Sequence, residues 1–75
     1  GSSPATRHDA KTTAAACRGA IARLPRRQRA AFVQRNVLGF SYAQVAVSMG
    51  CTESAARANV YQAVRRLRRA LVAIG

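Results

Sequence analysis

The side chains able to act on another molecule gather between Arg57 and Arg65. An arginine such as Arg57 donates two parallel hydrogen bonds to guanine, a pairing worth about 1–3 kcal/mol in base discrimination. Asn59 carries the amide that pairs with adenine, provided it faces outward; its place beside Val60 leaves that open. Tyr61 and Gln62 come one turn later and suit a thymine methyl, a base edge or a phosphate. At helical spacing, Ser54, Arg57, Ala58, Tyr61 and Arg65 share one face, and the short Ser54 lets a backbone approach closely. The plain alternative is a solvated helix carrying ordinary polar residues. Enzyme chemistry has little to work with. Asp9 and Glu53 are the only carboxylates, and no paired acid, nucleophile–base pair or metal cluster is visible.

Positioning that face requires the stretch from Phe40 to Tyr61, which reads as two helices and a tight turn. Ser41 with Gln44 three residues later is a capping box, and Phe40 with Val45 forms the matching hydrophobic staple. Val45, Ala46 and Met49 share one side of the first helix, Tyr42 to Met49. Ser48 interrupts that apolar pattern and is expected to face out or cap locally. Gly50 stands where a left-handed residue ends a helix. Thr52 caps the next helix, and Glu53 follows in the first turn, where the dipole favours an acid. With the small Ala46 at the crossing, this is a helix-turn-helix, whose second helix usually enters the DNA major groove. The helix starts at Ser41 and Thr52 present free N–H groups to phosphate. Arg35 and Tyr42 flank the motif, where phosphate contacts fix register; Tyr42 reads equally as a half-buried packing residue.

Two further helices precede the motif. One is expected from Thr13 to Leu24, with Cys17, Ile21 and Leu24 on one face and Pro25 as its stop. The second is expected from Arg26 to Leu38, ended by Gly39, with Phe32 and Val33 as its main core residues. Val37 and Leu38 either complete the core or stay partly exposed. Arg26, Arg27 and Arg29 make a basic start that opposes the helix dipole, consistent with a binding surface or with a solvated face. The last helix runs from Glu53 to about Val72, with an apolar stripe of Ala56, Val60, Val64, Leu67 and Leu71. Around that stripe, Arg65, Arg66, Arg68 and Arg69 either follow phosphates or keep the helix soluble. The fold class is all-α, a small four-helix domain over residues 12–75 after a disordered tag or linker at 1–11. His8 falls in that lead-in, where a histidine is far more often solvated than catalytic.

Composition agrees with this reading. The net charge is +11, from 13 Lys and Arg against 2 Asp and Glu, which points to a polyanion, most simply nucleic acid. Alanine dominates the apolar half, so the core rests on few large side chains. Cys17 and Cys51 lack metal-ligand spacing and read as reduced, partly buried thiols of a cytoplasmic protein. No run approaches the roughly 20 apolar residues of a membrane span, and no signal peptide is evident. No cofactor and no metal are expected.

Three segments carry a resemblance: Leu24-Pro25-Arg26-Arg27-Gln28-Arg29, then Gly39-Phe40-Ser41-Tyr42 with Val45-Ala46, then Gly50-Cys51-Thr52-Glu53-Ser54. Together they resemble region 4 of a bacterial sigma factor of the small extracytoplasmic-function group, over roughly residues 14–71 and without a gap. The resemblance implies binding to the −35 promoter element and contact with the β-flap of RNA polymerase, with an anti-sigma factor as a further partner. It places Arg57 at the basic position of the recognition helix, Tyr61 and Gln62 at DNA-contacting positions, and Arg35 and Tyr42 at backbone-contacting ones. Ser54-Ala55-Ala56 depart from the usual Gly-Thr-Val, Asn59 replaces a common arginine, and Gln44 replaces a glutamate. The family's promoter-melting region has no counterpart here, so this segment is not expected to initiate transcription alone. Competing readings are a response-regulator-type output domain, which Pro25 and Ser41-Tyr42 disfavour, and a module serving mainly protein interaction.

Overall fold

A computed structural model describes residues 14–74. The expectations placed on residues 1–13, including the lead-in and the helix start at Thr13, lie outside the described residues. Within them the chain is all-helical, with no strand. Helix α1 occupies 14–22. Helix α2 spans Arg26–Phe32 and passes directly into a π-helical turn, Val33–Val37. Helix α3 spans Tyr42–Met49 and α4 spans Glu53–Ile74.

The local signals account for most boundaries. Pro25 excludes helical backbone from Leu24, and α1 ends two residues before the expected Leu24, in a tightened turn closed by the Leu24 N–H on the Ile21 carbonyl at 3.1 Å. Arg29 then reaches back from α2 to donate to the Ala22 carbonyl at 3.1 Å. A cation there satisfies a free carbonyl and complements the carboxyl end of α1. So one of the three arginines at the start of α2 has a structural task, while Arg26 and Arg27 stay exposed.

The expected single helix from Arg26 to Leu38 is corrected to α2 plus the wide turn. The Leu38 N–H bonds the Val33 carbonyl five residues back (3.0 Å), and the Phe40 N–H bonds the Gln34 carbonyl (2.9 Å). A π turn holds one residue more than an α turn, which rotates the next residues out of the helical register. Val37 and Leu38 consequently face solvent, 65% and 59% exposed. Gly39 at φ +76° turns the chain toward α3.

The motif itself follows its signals. The Gln44 N–H donates to Ser41 Oγ (3.1 Å) and the Ser41 N–H donates to Gln44 Oε1 (2.8 Å), closing the capping box. Gly50 ends α3 at φ 65° and ψ 39°, in the left-handed region. The Ala55 N–H donates to Thr52 Oγ1 at 3.0 Å, which caps α4. Ser48 faces solvent.

Two clusters hold the helices together. The first joins Ala31 of α2, Val45 and Ala46 of α3, and Ala56 and Val60 of α4, with Phe40 and Met49 packed on its edge. The second joins Ala20 and Leu24 to Ala63 and Leu67 of α4, with Ile21 and Phe32 beside them. Among the described residues, Val45 is the one large side chain that is fully enclosed. Phe32 and Val33, expected as the chief core residues of the second helix, are only half-buried, and Ala31 is the sealed one. Methyl groups at the crossings let the backbones approach, so the bulkier neighbours pack at the margins. No helix among the described residues is long and apolar enough to cross a membrane.

Candidate nucleic-acid interface

Helix α4 divides lengthwise. Ala56, Val60, Ala63 and Leu67 are buried, while Ser54, Arg57, Ala58, Tyr61 and Arg65 are exposed. This is the partition expected of a rod that buries one stripe and presents the other.

The exposed face is organised around Tyr42, at the start of α3. The guanidinium carbons of Arg35 and Arg57 each lie 4.5 Å from the centroid of its ring. Arg57 is held a second time, donating from Nη2 to Glu53 Oε1 at 3.1 Å across one turn of α4. Both members of that pair are more than half exposed, so its contribution to stability is only about 0.3–0.5 kcal/mol. Its effect is geometric: carboxylate and ring together restrict a long side chain that otherwise samples many rotamers. Exposed cation–π contacts add about 0.5–1 kcal/mol each, enough to bias a rotamer and too little to lock it. Further along, the Arg65 guanidinium sits 5.8 Å from the Tyr61 centroid. A groove of about 490 Å³ runs between these groups, lined by Tyr42, Arg57, Tyr61, Arg65 and Arg68.

Arg35 is half-buried and donates to the Phe40 carbonyl at 2.9 Å, so the π turn carries it to the motif, where it braces the Phe40 loop as well as stacking on Tyr42. Tyr42 joins the first core cluster at its edge while supporting both arginines; packing and surface roles coincide. Thr52 is exposed and spends its hydroxyl on the α4 cap. Asn59 is not on the outer face. It is half-buried, and its amide donates to the Ala55 carbonyl four residues back at 3.0 Å. Gln62 is exposed but lines a separate groove toward α1. Arg68, read from the sequence as following phosphates or keeping the helix soluble, lines the recognition groove; the participant that sequence reasoning missed is Glu53 as the partner of Arg57. The spacing of four between Glu53 and Arg57 was the available signal for it.

Cys17 and Cys51 are free and half-buried, and among the described residues no His, Cys, Asp and Glu side chains cluster as a metal site would require. The described acidic side chains reduce to Glu53, already paired. What the surface offers is donors: guanidinium groups, two phenols and the first-turn N–H groups of two helices. That inventory fits phosphate oxygens and base edges.

The family model described as Sigma-70, region 4 matches residues 16–67, more than half of the chain and the whole of the motif with its flanks. No curated protein matches the chain. The family match favours promoter recognition over the response-regulator reading. By the extent of that match, the chain belongs to the sigma-70 region 4 family, whose domains bind the −35 promoter element as part of a sigma factor and interact with RNA polymerase.

Proposed function

We propose that the outer face of α4 reads the −35 element in the major groove, with Arg57 as its principal base-reading side chain. The observation that carries this is the double restraint on Arg57 by Glu53 and Tyr42. It aims a bidentate donor outward from the first turns of the recognition helix, where such side chains reach base edges. Ser54, Ala58 and Tyr61 complete the contact face. Gln62 and Arg65 lie at its border, and Arg35, Tyr42 and the amides after Thr52 hold phosphates. Asn59 is retained only as a peripheral contributor, because its amide is turned onto its own helix.

We assign the protein to the extracytoplasmic-function group on its motif resemblance. Val37 and Leu38, exposed at the end of the second helical segment, support a protein-binding role for that end, toward the polymerase β-flap or an anti-sigma factor. The reading requires no catalytic step and no cofactor. It also places the protein in the cytoplasm with its promoter, residues 12–75 forming the functional domain and 1–11 a tag or linker.

The test is a panel of promoter duplexes, first refined by binding-site selection, titrated at several salt concentrations. Arg57→Ala is expected to lower the preference for the selected −35 sequence by about 1–3 kcal/mol, roughly 5- to 150-fold, with affinity for scrambled duplex changing far less. Equal affinity of the parent protein for every duplex defeats the reading. An unchanged preference in Arg57→Ala removes Arg57 from the base-reading set.

A further inference from the structure

Beside the recognition groove, α4 forms a second concave surface with the end of α1. It encloses about 410 Å³, with Arg23 from the turn after α1 and Arg65, Arg66 and Arg69 from α4 around a floor that includes Ala20 and Leu24. No carboxylate lines it, and the single described carboxylate, Glu53, is paired with Arg57 elsewhere. Four guanidinium groups around one hollow repel each other and concentrate a positive potential there.

The arginines of α4 are divided between the two grooves. Arg68 lines the recognition groove, Arg66 and Arg69 line this one, and Arg65 borders both. Successive helical residues are 100° apart, so the run from 65 to 69 wraps both flanks of the helix. Dimensions give this division a meaning. The 22 residues of α4 make a rod about 33 Å long, whereas the major groove is about 12 Å wide. The first turns fit inside and the rest must pass over the groove edge. A major groove is bounded by two phosphate strands, and α4 carries a basic groove on each flank.

We infer that the α1–α4 groove seats phosphates of the strand across the major groove from Tyr42, so that Arg23 brings the turn at the end of α1 into direct contact with the promoter. This rests on the reading of α4 as the recognition helix. An acidic polypeptide would suit the same guanidinium groups, but Arg65 borders both grooves, so basic side chains follow one another around α4 from one groove to the other, and basic side chains on both flanks of the helix fit a duplex.

The test uses the full chain with Arg23→Gln, Arg66→Gln and Arg69→Gln combined, which removes charge but keeps polar side chains over the apolar floor. Circular dichroism confirms the fold before titration. On both selected and scrambled duplexes, the slope of log affinity against log salt is expected to become shallower by about 2–3, at roughly 0.9 per phosphate contact, with the ratio between duplexes unchanged. Duplexes carrying single methylphosphonates locate the contact: phosphates whose neutralisation weakens the parent but not the triple variant are expected on one strand. An unchanged slope overturns the inference, as does an identical methylphosphonate pattern in both proteins. So does a variant that loses RNA polymerase binding while keeping its DNA slope. If the parent prefers no duplex, the recognition reading fails by itself, and the slope comparison still decides the groove.

Discussion

Ala56→Asp leaves the domain largely unfolded at neutral pH. Ala56 exposes none of its surface and sits among Ala31, Val45, Ala46 and Val60. A carboxylate there meets only hydrocarbon, and an uncompensated buried charge costs about 3–5 kcal/mol. The start of α4 offsets about 0.3–1 kcal/mol through its dipole, too little to change the outcome. A chain of this length rarely holds more than about 3–5 kcal/mol in its core, so the loss consumes the whole margin. Circular dichroism with urea or thermal melting measures it. A cooperative transition within about 1 kcal/mol of the parent protein would falsify the placement of this face against α2 and α3.

Ala58→Asp carries the same chemistry two residues along and roughly 200° around the helix, and the expected result is the opposite. Ala58 is exposed, so the fold stays within about 0.5 kcal/mol of the parent. DNA binding suffers instead, because the new carboxylate stands where α4 meets a polyanion. Like charges brought together at an interface cost several kcal/mol. The expectation is at least a 100-fold loss of affinity at low salt, or about 2.7 kcal/mol, on every duplex and shrinking as salt rises. Fluorescence anisotropy with a labelled duplex, beside a melting curve, separates this from unfolding. Parent-like affinity would take the outer face of α4 out of the DNA contact.

The contrast between these neighbours shows which parts of the molecule the sequence made legible. Motif boundaries were written in capping chemistry: Ser41 and Gln44, Gly50, and Thr52 each act locally, through bonds to residues within four positions. The outer face of α4 followed from helical spacing alone. The core was read less well, because alanine suits a crossing and a surface equally. Ala31 and Ala63 therefore gave no signal, while Phe32 and Val33 drew attention by size. The π turn escaped for a related reason: its apolar residues continue a helical pattern, and its widening rests on backbone bonds from Leu38 to Val33 and from Phe40 to Gln34, which no residue type announces. Asn59 lies on the flank of the buried stripe, where a bond to Ala55 competes with an outward pose. The bracing of Arg57 needed α3 and α4 to be placed before Tyr42 met it.

Glu53 stands as the single carboxylate side chain among the described residues, in a chain of net charge +11. Such a domain is strained by its own cations, and ions that shorten the Debye length to about 10 Å at 0.1 M ease that strain. The same ions compete for the duplex and loosen the complex. The free and bound forms therefore answer salt in opposite directions: one melts at a higher temperature as salt is added, the other at a lower. A duplex present at about one hundred times its dissociation constant contributes about 2.7 kcal/mol to the folded state, comparable to what so small a core supplies. The promoter is thus also the counter-charge that the polypeptide itself does not encode.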